Sequence, residues 1–349
     1  MSTWSKLAGM RLTVEAVELE PRSLNVGTFH RHTTIVRLSG GGYDGCGEDV
    51  TYDGEEQRRF RNARIAWPCG AFDLAGFSAA LDEVQLFERP PQQAMYLDYR
   101  RWAVEAAALD LALRQANATL ARQLGLAAQP VRFVASMGLG QPPSTDRLRE
   151  LMACVPGTRF KLDWNPGWSR PLLDELEGMH VVDVVDFKGA YTGTPVDTVP
   201  DATLYRGVAE ALPAVILEDP KWSDEAAAEL EPFRDRISWD APIHSTGDME
   251  ALPFAPRVMN IKPSRFGTLE RLFDAYDYCN RHGIAMYGGG QFELDVGRLQ
   301  IQTLASLFHG DAPNDTSPVA YHDAGNHEVL PGGPLDTAFG VSGFTERPS

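Results

Sequence analysis

The sequence predicts a parallel α/β barrel behind a small α+β domain, and three observations lead to that class. From about residue 130 onward, short apolar runs alternate with helix-like stretches about seven times. Lys161, Asp186, Glu218, Asp240, Lys262 and Glu293 stand at or beside the ends of those runs. They follow one another at intervals of 22 to 32 residues, about one strand plus one helix. The chain's 349 residues exceed a bare barrel of roughly 250 by about a hundred, which leaves room for one further domain.

The N-terminal part supplies that domain. Residues 12–18 and 32–38 alternate as antiparallel strands do, the glycine-rich stretch 40–45 makes a tight turn, and 99–117 is an Ala-rich amphipathic helix. This α+β capping domain is set at 1–127, with 129–131 leading into a barrel taken as 128–317. Runs at 132–136 (RFVAS), 159–162 (RFKL), 181–186 (VVDVVD), 214–217 (AVIL), 237–239, 258–261 (VMNI) and 284–287 (IAMY) read as strands buried on both faces. Helices are expected between them at 145–154, 171–178, 203–212, 224–233, 269–282 and 296–309. Ser144 or Thr145 opens the first, Gly178 and Gly283 close two others, and Ser223 before Asp224 and Glu225 reads as a cap with an acidic first turn. A barrel is preferred over an open sheet because polar residues at successive strand ends then converge on one mouth. The stretch 318–349, rich in Gly, Pro and Asp, lacks periodicity and is expected to pack back on the cap.

Composition bounds the setting. The net charge of −16 disfavours nucleic acid and anionic membranes as partners. No apolar stretch approaches 18 residues and the N-terminus lacks a signal-peptide core, so a cytoplasmic location is expected. Cys46, Cys69, Cys154 and Cys279 are widely spaced, which favours reduced thiols over a disulfide framework or a zinc site.

Asp186, Glu218 and Asp240 end three consecutive runs and would become neighbours at the mouth. Three adjacent carboxylates repel one another unless a cation neutralises them, and an oxygen-only set suits Mg²⁺. Lys161 and Lys262 flank the set and would face each other across the mouth, where a partly desolvated lysine near cations can act as a base. This combination suits removal of the α-proton of a carboxylate substrate. The metal stabilises the enolate, one lysine takes the proton, and the other returns it or stabilises the developing charge.

Five segments in order carry a family resemblance: 45–48 (GCGE), 107–112 (AALDLA) followed by Leu124 and Gly125, 218–220 (EDP), 260–267 (NIKPSRFG) and 288–298 (GGGQFELDVGR). They resemble the G-x-G-E turn, the A-x-x-D-L-A helix and the strand-four, strand-six and strand-seven motifs of the enolase superfamily, nearest its muconate-lactonising and o-succinylbenzoate-synthase branch. The resemblance implies a (β/α)₇β TIM-like barrel with an N-terminal α+β capping domain. It also implies Mg²⁺ on Asp186, Glu218 and Asp240, lysine bases at Lys161 and Lys262, and specificity set by cap residues 24–32 and 50–54.

Departures leave choices open. The second barrel strand fits the family's K-x-K either as Arg159-x-Lys161, which keeps Lys161 as a base, or as Lys161-x-Asp163, which puts Asp163 in that place. Arg159, Asp163, Lys188 and His30 are the candidate substrate contacts. Lys188 stands where the family often has asparagine, and would either lie against the metal carboxylates and weaken Mg²⁺ binding or meet a substrate anion. Asp163-x-Asn165 imitates a metal motif but lies too far ahead of Glu218 to be the ligand. Glu293 either buttresses the mouth or hydrogen-bonds Lys262. Plainer readings stand beside these: acidic residues after strands often cap the next helix, and His30 and His32 can be ordinary cap-surface histidines.

The reading reached is a Mg²⁺-dependent lyase or isomerase that takes an α-proton from a small carboxylate, with a cycloisomerase, synthase or dehydratase, or racemase or epimerase outcome. The alternatives are a metal-impaired, non-catalytic or regulatory homologue, an acid-sugar dehydratase, and an unrelated barrel using Lys262 as a Schiff base. A homo-oligomer is expected of an acidic barrel protein of this kind.

Overall fold

The cap comes first along the chain. Strands β1 (Arg11–Val14), β2 (Ala16–Val26), β3 (Phe29–Gly40), β4 (Tyr43–Asp49) and β5 (Gly70–Asp73) form two antiparallel sheets, β1 with β5 and β2-β3-β4 in order. The run expected at 12–18 is divided at Glu15, where the chain crosses from one sheet to the other. In this computed structural model residues 2–26, 29–191, 199–322, 330–336, 340 and 342–345 are described. The expected specificity stretch 24–32 therefore lies partly outside the described residues, as does much of the tail.

The Ala-rich helix, Tyr96–Gln115, packs on β4. A side chain at Gly47 would come within 2.0 Å of the Ala103 carbonyl, so strand and helix backbones meet only because both surfaces are small. Buried Asp110 accepts from Cys46 N (3.0 Å) and from Phe344 N (2.8 Å). Phe344 also sets its ring edge-on to Trp102 at 6.5 Å. The glycine-rich strand and the A-x-x-D-L-A helix thus form one joint that also receives a described part of the tail.

Parallel strands β6 (Ala135–Gly138), β7 (Phe160–Asp163), β8 (Val182–Asp186), β9 (Ile216–Glu218) and β10 (Ile237–Ser238) follow in spatial order. β11 (Val258–Ile261) pairs with β12 (Ala285–Gly288), and Asn260 N donates to Trp239 O (3.1 Å) across the seam after β10. Bridges from Phe133 to Asn314 and from Gly289 to Asp315 complete a (β/α)₇β barrel. Asn314 closes the ring. Its side-chain oxygen accepts from Gly288 N (2.8 Å), its amide donates to Arg132 O (3.0 Å), and its backbone carbonyl accepts from Val134 N (2.8 Å).

The helices lie close to where the sequence places them, with Leu269–His282 matching to the residue. The stretch expected as a helix at 224–233 ends at Leu230 and continues as a 3₁₀ turn, Glu231–Arg236. Pro232 cannot supply the backbone N–H that an α-helix would need there. Among the described residues, no helix is long and apolar enough to cross a membrane.

Two buried residues lock cap to barrel. Glu48 accepts from Leu294 N (2.6 Å), Asp295 N (3.0 Å) and Gly297 N (2.9 Å), so its carboxylate sits at the amino end of helix Val296–Phe308. Burial raises its pKa against those bonds. Arg31 donates to the carbonyls of Val50, Thr51, Gln291 and Phe292, tying the region after β4 to the loop after β12.

His309, buried beside Asn314 with Nδ1 2.6 Å from its side-chain oxygen, is pushed down to about 4 by burial. Because this lies below the ordinary 6.5, the unfolded chain binds the proton first as pH falls. The contribution of neutral His309 is therefore complete above about 6.5 and is lost as pH falls towards 4, by about 3 kcal/mol. Urea denaturation at pH 7 and pH 4.5 should show a smaller acid loss of stability in His309→Gln than in the parent. Equal losses would contradict this assignment.

Candidate active site

β7, β8 and β9 run in register so that Asp163 lies opposite Asp186 and Asp186 opposite Glu218, while Lys161 lies one rung lower, opposite Val184. Lys161 and Asp163, two residues apart, share one face of β7, but only Asp163 stands level with Asp186 and Glu218 at the rim. This placement is the one expected of the Lys161-x-Asp163 register. Lys161 lies beneath that rim, 1% exposed, with Nζ 2.5 Å from Glu218 Oε1, 3.2 Å from Asp186 Oδ2 and 3.7 Å from Asp315 Oδ2.

Asp240 follows β10, and Lys262 follows β11 as the cap of the single turn Pro263–Phe266. Lys262 Nζ is 2.7 Å from Asp240 Oδ2, and Arg265 Nε in the same turn is 2.9 Å from Asp240 Oδ1. Tyr191 donates its hydroxyl to Asp240 Oδ2 (3.0 Å). Glu218 Oε2 accepts from the Tyr287 hydroxyl and from Asn260 Nδ2 (3.3 Å). Lys188 Nζ is 2.5 Å from Asp186 Oδ2 and 3.0 Å from Asp163 Oδ1. Asp219, with a non-glycine φ of +47°, accepts from Asp240 N and Ala241 N (both 2.8 Å) and so ties the end of β9 to that of β10.

Burial opposes the charge of Asp186, Glu218, Asp219, Asp240 and Lys161, and the charged neighbours of each decide whether burial prevails. For Asp186 burial is outweighed by Lys188 and Lys161, and for Asp240 by Arg265 and Lys262, so both pKa values fall below the carboxylate range. For Glu218, burial and the two neighbouring carboxylates prevail over Lys161, and its pKa rises. Burial together with Asp240 and Asp186 raises Asp219 as well. Lys161 is held charged against burial by Glu218, Asp186 and Asp315. These directions conflict at the Lys161–Glu218 contact. We take Lys161 as the cation because three carboxylates face it, and Glu218 as the triad member nearest to protonation.

Not every candidate joins this cluster. Arg159 is at the wrong end of its strand: it precedes β7, ion-pairs with Asp183 at 2.5 Å and donates to His180 O (2.5 Å). Its expected substrate contact fails because the rim is reached only at Asp163, four residues further on. His30 stacks on His32 in the cap at 5.1 Å, with no contact to the carboxylates among the described residues. Glu293 accepts from Gln291 N (2.8 Å) and faces Arg298 at 3.8 Å, so it buttresses the mouth loop and does not bond Lys262. Tyr191, Arg265, Tyr287 and Asp315 enter the site unannounced. Only Arg265 carried a sequence signal, lying three residues after Lys262 and therefore on the same face of a helical turn.

Family models described as "Domain of unknown function (DUF8230)" match here, the N-terminal domain over residues 5–123 and the C-terminal domain over 127–323. The chain belongs to the DUF8230 family. This DUF8230 chain is 27% identical over 331 residues to an N-succinylamino acid racemase of Amycolatopsis sp, covering 89% of itself and 86% of that protein. It is also 27% identical over 229 residues to an o-succinylbenzoate synthase of Geobacillus stearothermophilus, covering 63% of itself and 59% of that protein. The dipeptide epimerase from Methylococcus capsulatus, solved in complex with Mg ion, shares the fold with a TM-score of 0.65 at 20% identity, over 87% of this chain and 89% of that one. The fold is that of the enolase superfamily, as the five sequence motifs implied.

The donor chemistry of Asp186, Glu218 and Asp240 fits a hard divalent cation: oxygen only, buried, and on adjacent strand ends. As arranged here the set is closed by cationic side chains, and among the described residues no three acidic, His or Cys groups stand ready around a single ion. Filling it requires an ammonium to move. Removal of Lys161 should leave the pair Asp186 and Glu218 undercompensated. Lys161→Met is expected to lose ~3 kcal/mol or more. Arg159→Ala should lose under about 1 kcal/mol. Chemical denaturation checks both, and similar losses in the two variants would contradict the placement.

Proposed function

We propose that this DUF8230 protein is a metal-dependent lyase or isomerase that removes the proton next to the carboxylate of a small substrate. The observation that carries the reading is the rim itself: three fully buried carboxylates at successive strand ends, with the nearly buried Lys262 ammonium 2.7 Å from the third. A Mg²⁺ ion on Asp186, Glu218 and Asp240 would supply the charge that acidifies the neighbouring C–H and, by engaging Asp240, leave Lys262 free to lose its proton.

Lys262 is the proton acceptor in this scheme. It stands against Gly289, where a side chain would come within 2.9 Å of Lys262 Cε, so the glycine keeps the lysine's space open. Lys161 acts through others, holding Glu218 and Asp186 from beneath. Asp163 occupies the rim place opposite Lys262 that a second base lysine would take. Lys188 also reaches the rim, but its ammonium is engaged by Asp186 and Asp163. With Lys262 as the one base in this scheme, elimination or cycloisomerisation is favoured over racemisation, which needs proton transfer at both faces of one carbon.

Proton NMR in D₂O with saturating Mg²⁺ tests this reading against a panel of N-succinylamino acids, dipeptides and muconate-type diacids. Exchange or turnover of at least one compound is expected, with Lys262→Met slower by a factor of about 10² to 10⁴ and folded by circular dichroism. No exchange across the panel, or full rate in Lys262→Met, would contradict it.

A further inference from the structure

We infer that Lys188 is a tethered competitor for the divalent cation: its ammonium sits on Asp186 when no cation is bound and withdraws to Asp163 when one binds. The inference rests on the reading above that the carboxylate triad takes a metal.

The backbone is shaped to put the ammonium there. Lys188 has φ +56°, a left-handed conformation that is unfavourable for a residue with a side chain. Its neighbours enforce it. Phe187 N donates to Glu218 O and Gly189 N to Asp219 O, both at 2.9 Å, and Lys188 N donates to Asp186 Oδ1 (3.0 Å). A side chain on Gly189 would come within 2.1 Å of Lys221 N, so the chain lies flush against the next loop. The turn folds the lysine back over its own strand end, with Nζ 2.5 Å from Asp186 Oδ2 and 5.4 Å from the Tyr191 ring centre.

The ammonium has two unequal seats. The Asp186 contact is an aligned hydrogen bond. Asp163 Oδ1, at 3.0 Å, is close enough to pair but receives no aligned donor, although the atom is buried. Lys188 is also the ammonium best able to move: its side chain is 16% exposed, against 1% for Lys161 and 6% for Lys262. Asp186 keeps Lys161 at 3.2 Å if Lys188 leaves. A divalent ion and the Lys188 ammonium cannot share Asp186 Oδ2, since two cations on one oxygen repel strongly in a buried site. Metal binding must therefore break the Lys188–Asp186 pair, and Asp163 is placed to receive the displaced charge.

Calorimetric titration of metal-stripped full-length protein with Mg²⁺ tests this, using the parent, Lys188→Gln, Lys188→Arg, Asp163→Asn and Glu218→Gln. Lys188→Gln is expected to bind Mg²⁺ at least tenfold more tightly than the parent, Lys188→Arg no more tightly, Asp163→Asn several-fold more weakly, and Glu218→Gln not at all. Binding seen only in Lys188→Gln also supports competition. Thermal melts of the stripped proteins give a second reading: Mg²⁺ should raise the melting temperature of Lys188→Gln more than that of the parent. Equal affinity in parent and Lys188→Gln, or equal tightening in Lys188→Gln and Lys188→Arg, overturns the competitor role and leaves the proposed function standing. Absence of binding in all five proteins, Lys188→Gln included, overturns the metal reading itself.

Discussion

Three carboxylates buried at one barrel mouth cannot all stay ionised without counter-charge, and much of the site follows from how this chain meets that constraint. Asp240 has Lys262 and Arg265, Asp186 has Lys188 and Lys161, and Glu218 has Lys161 with two neutral donors. Lys161 reaches Asp186 and Glu218 from β7, and Lys262 and Arg265 reach Asp240 from the turn after β11, so the barrel's register and the electrostatics of the rim depend on each other. A slip of two residues in β7 would raise Lys161 to the level of Asp186, and a slip of one would turn both Lys161 and Asp163 away from the carboxylates.

The cap is held to this rim by polar groups that are themselves buried. Glu48 caps a barrel helix from the end of a cap strand, and Arg31 gathers carbonyls from both domains. Neither contact touches the carboxylate cluster. Both fix the loop after β12, where Gly289 meets Lys262 and where Glu293 turns back on its own backbone. Cap geometry thus reaches the site through backbone placement.

Most of the fold was legible because barrel strands buried on both faces leave uninterrupted apolar runs, and because Gly283 and Ser223 are unambiguous helix signals. That Asp186, Glu218, Asp240, Lys161 and Lys262 gather at one end of the barrel was legible from their intervals; that Lys161 lies beneath the rim, and not across the mouth from Lys262 as a base, was not. The role of Arg159 was misread because a period of two puts Arg159, Lys161 and Asp163 on one face without saying which of them reaches the mouth. Only the pairing register with β8 decides that. Tyr191 and Tyr287 were hidden for another reason: each looks like ordinary core or loop aromatic until its hydroxyl is seen on Asp240 or Glu218. Lys188 was visible as a departure from the family pattern. Its place against the metal carboxylates was one of two readings, but its left-handed backbone and its second seat on Asp163 were not legible, since they arise from contacts with the end of β9 and with β7.

The central claim is that this rim is a cation site whose positive charge is supplied in part by the chain itself. A crystal structure with saturating Mn²⁺, located by its anomalous signal, tests it most directly. The account predicts one peak among Asp186, Glu218 and Asp240, with the Lys188 ammonium on Asp163 and no longer on Asp186. Lys188 still seated on Asp186 with no metal peak at the rim would contradict it.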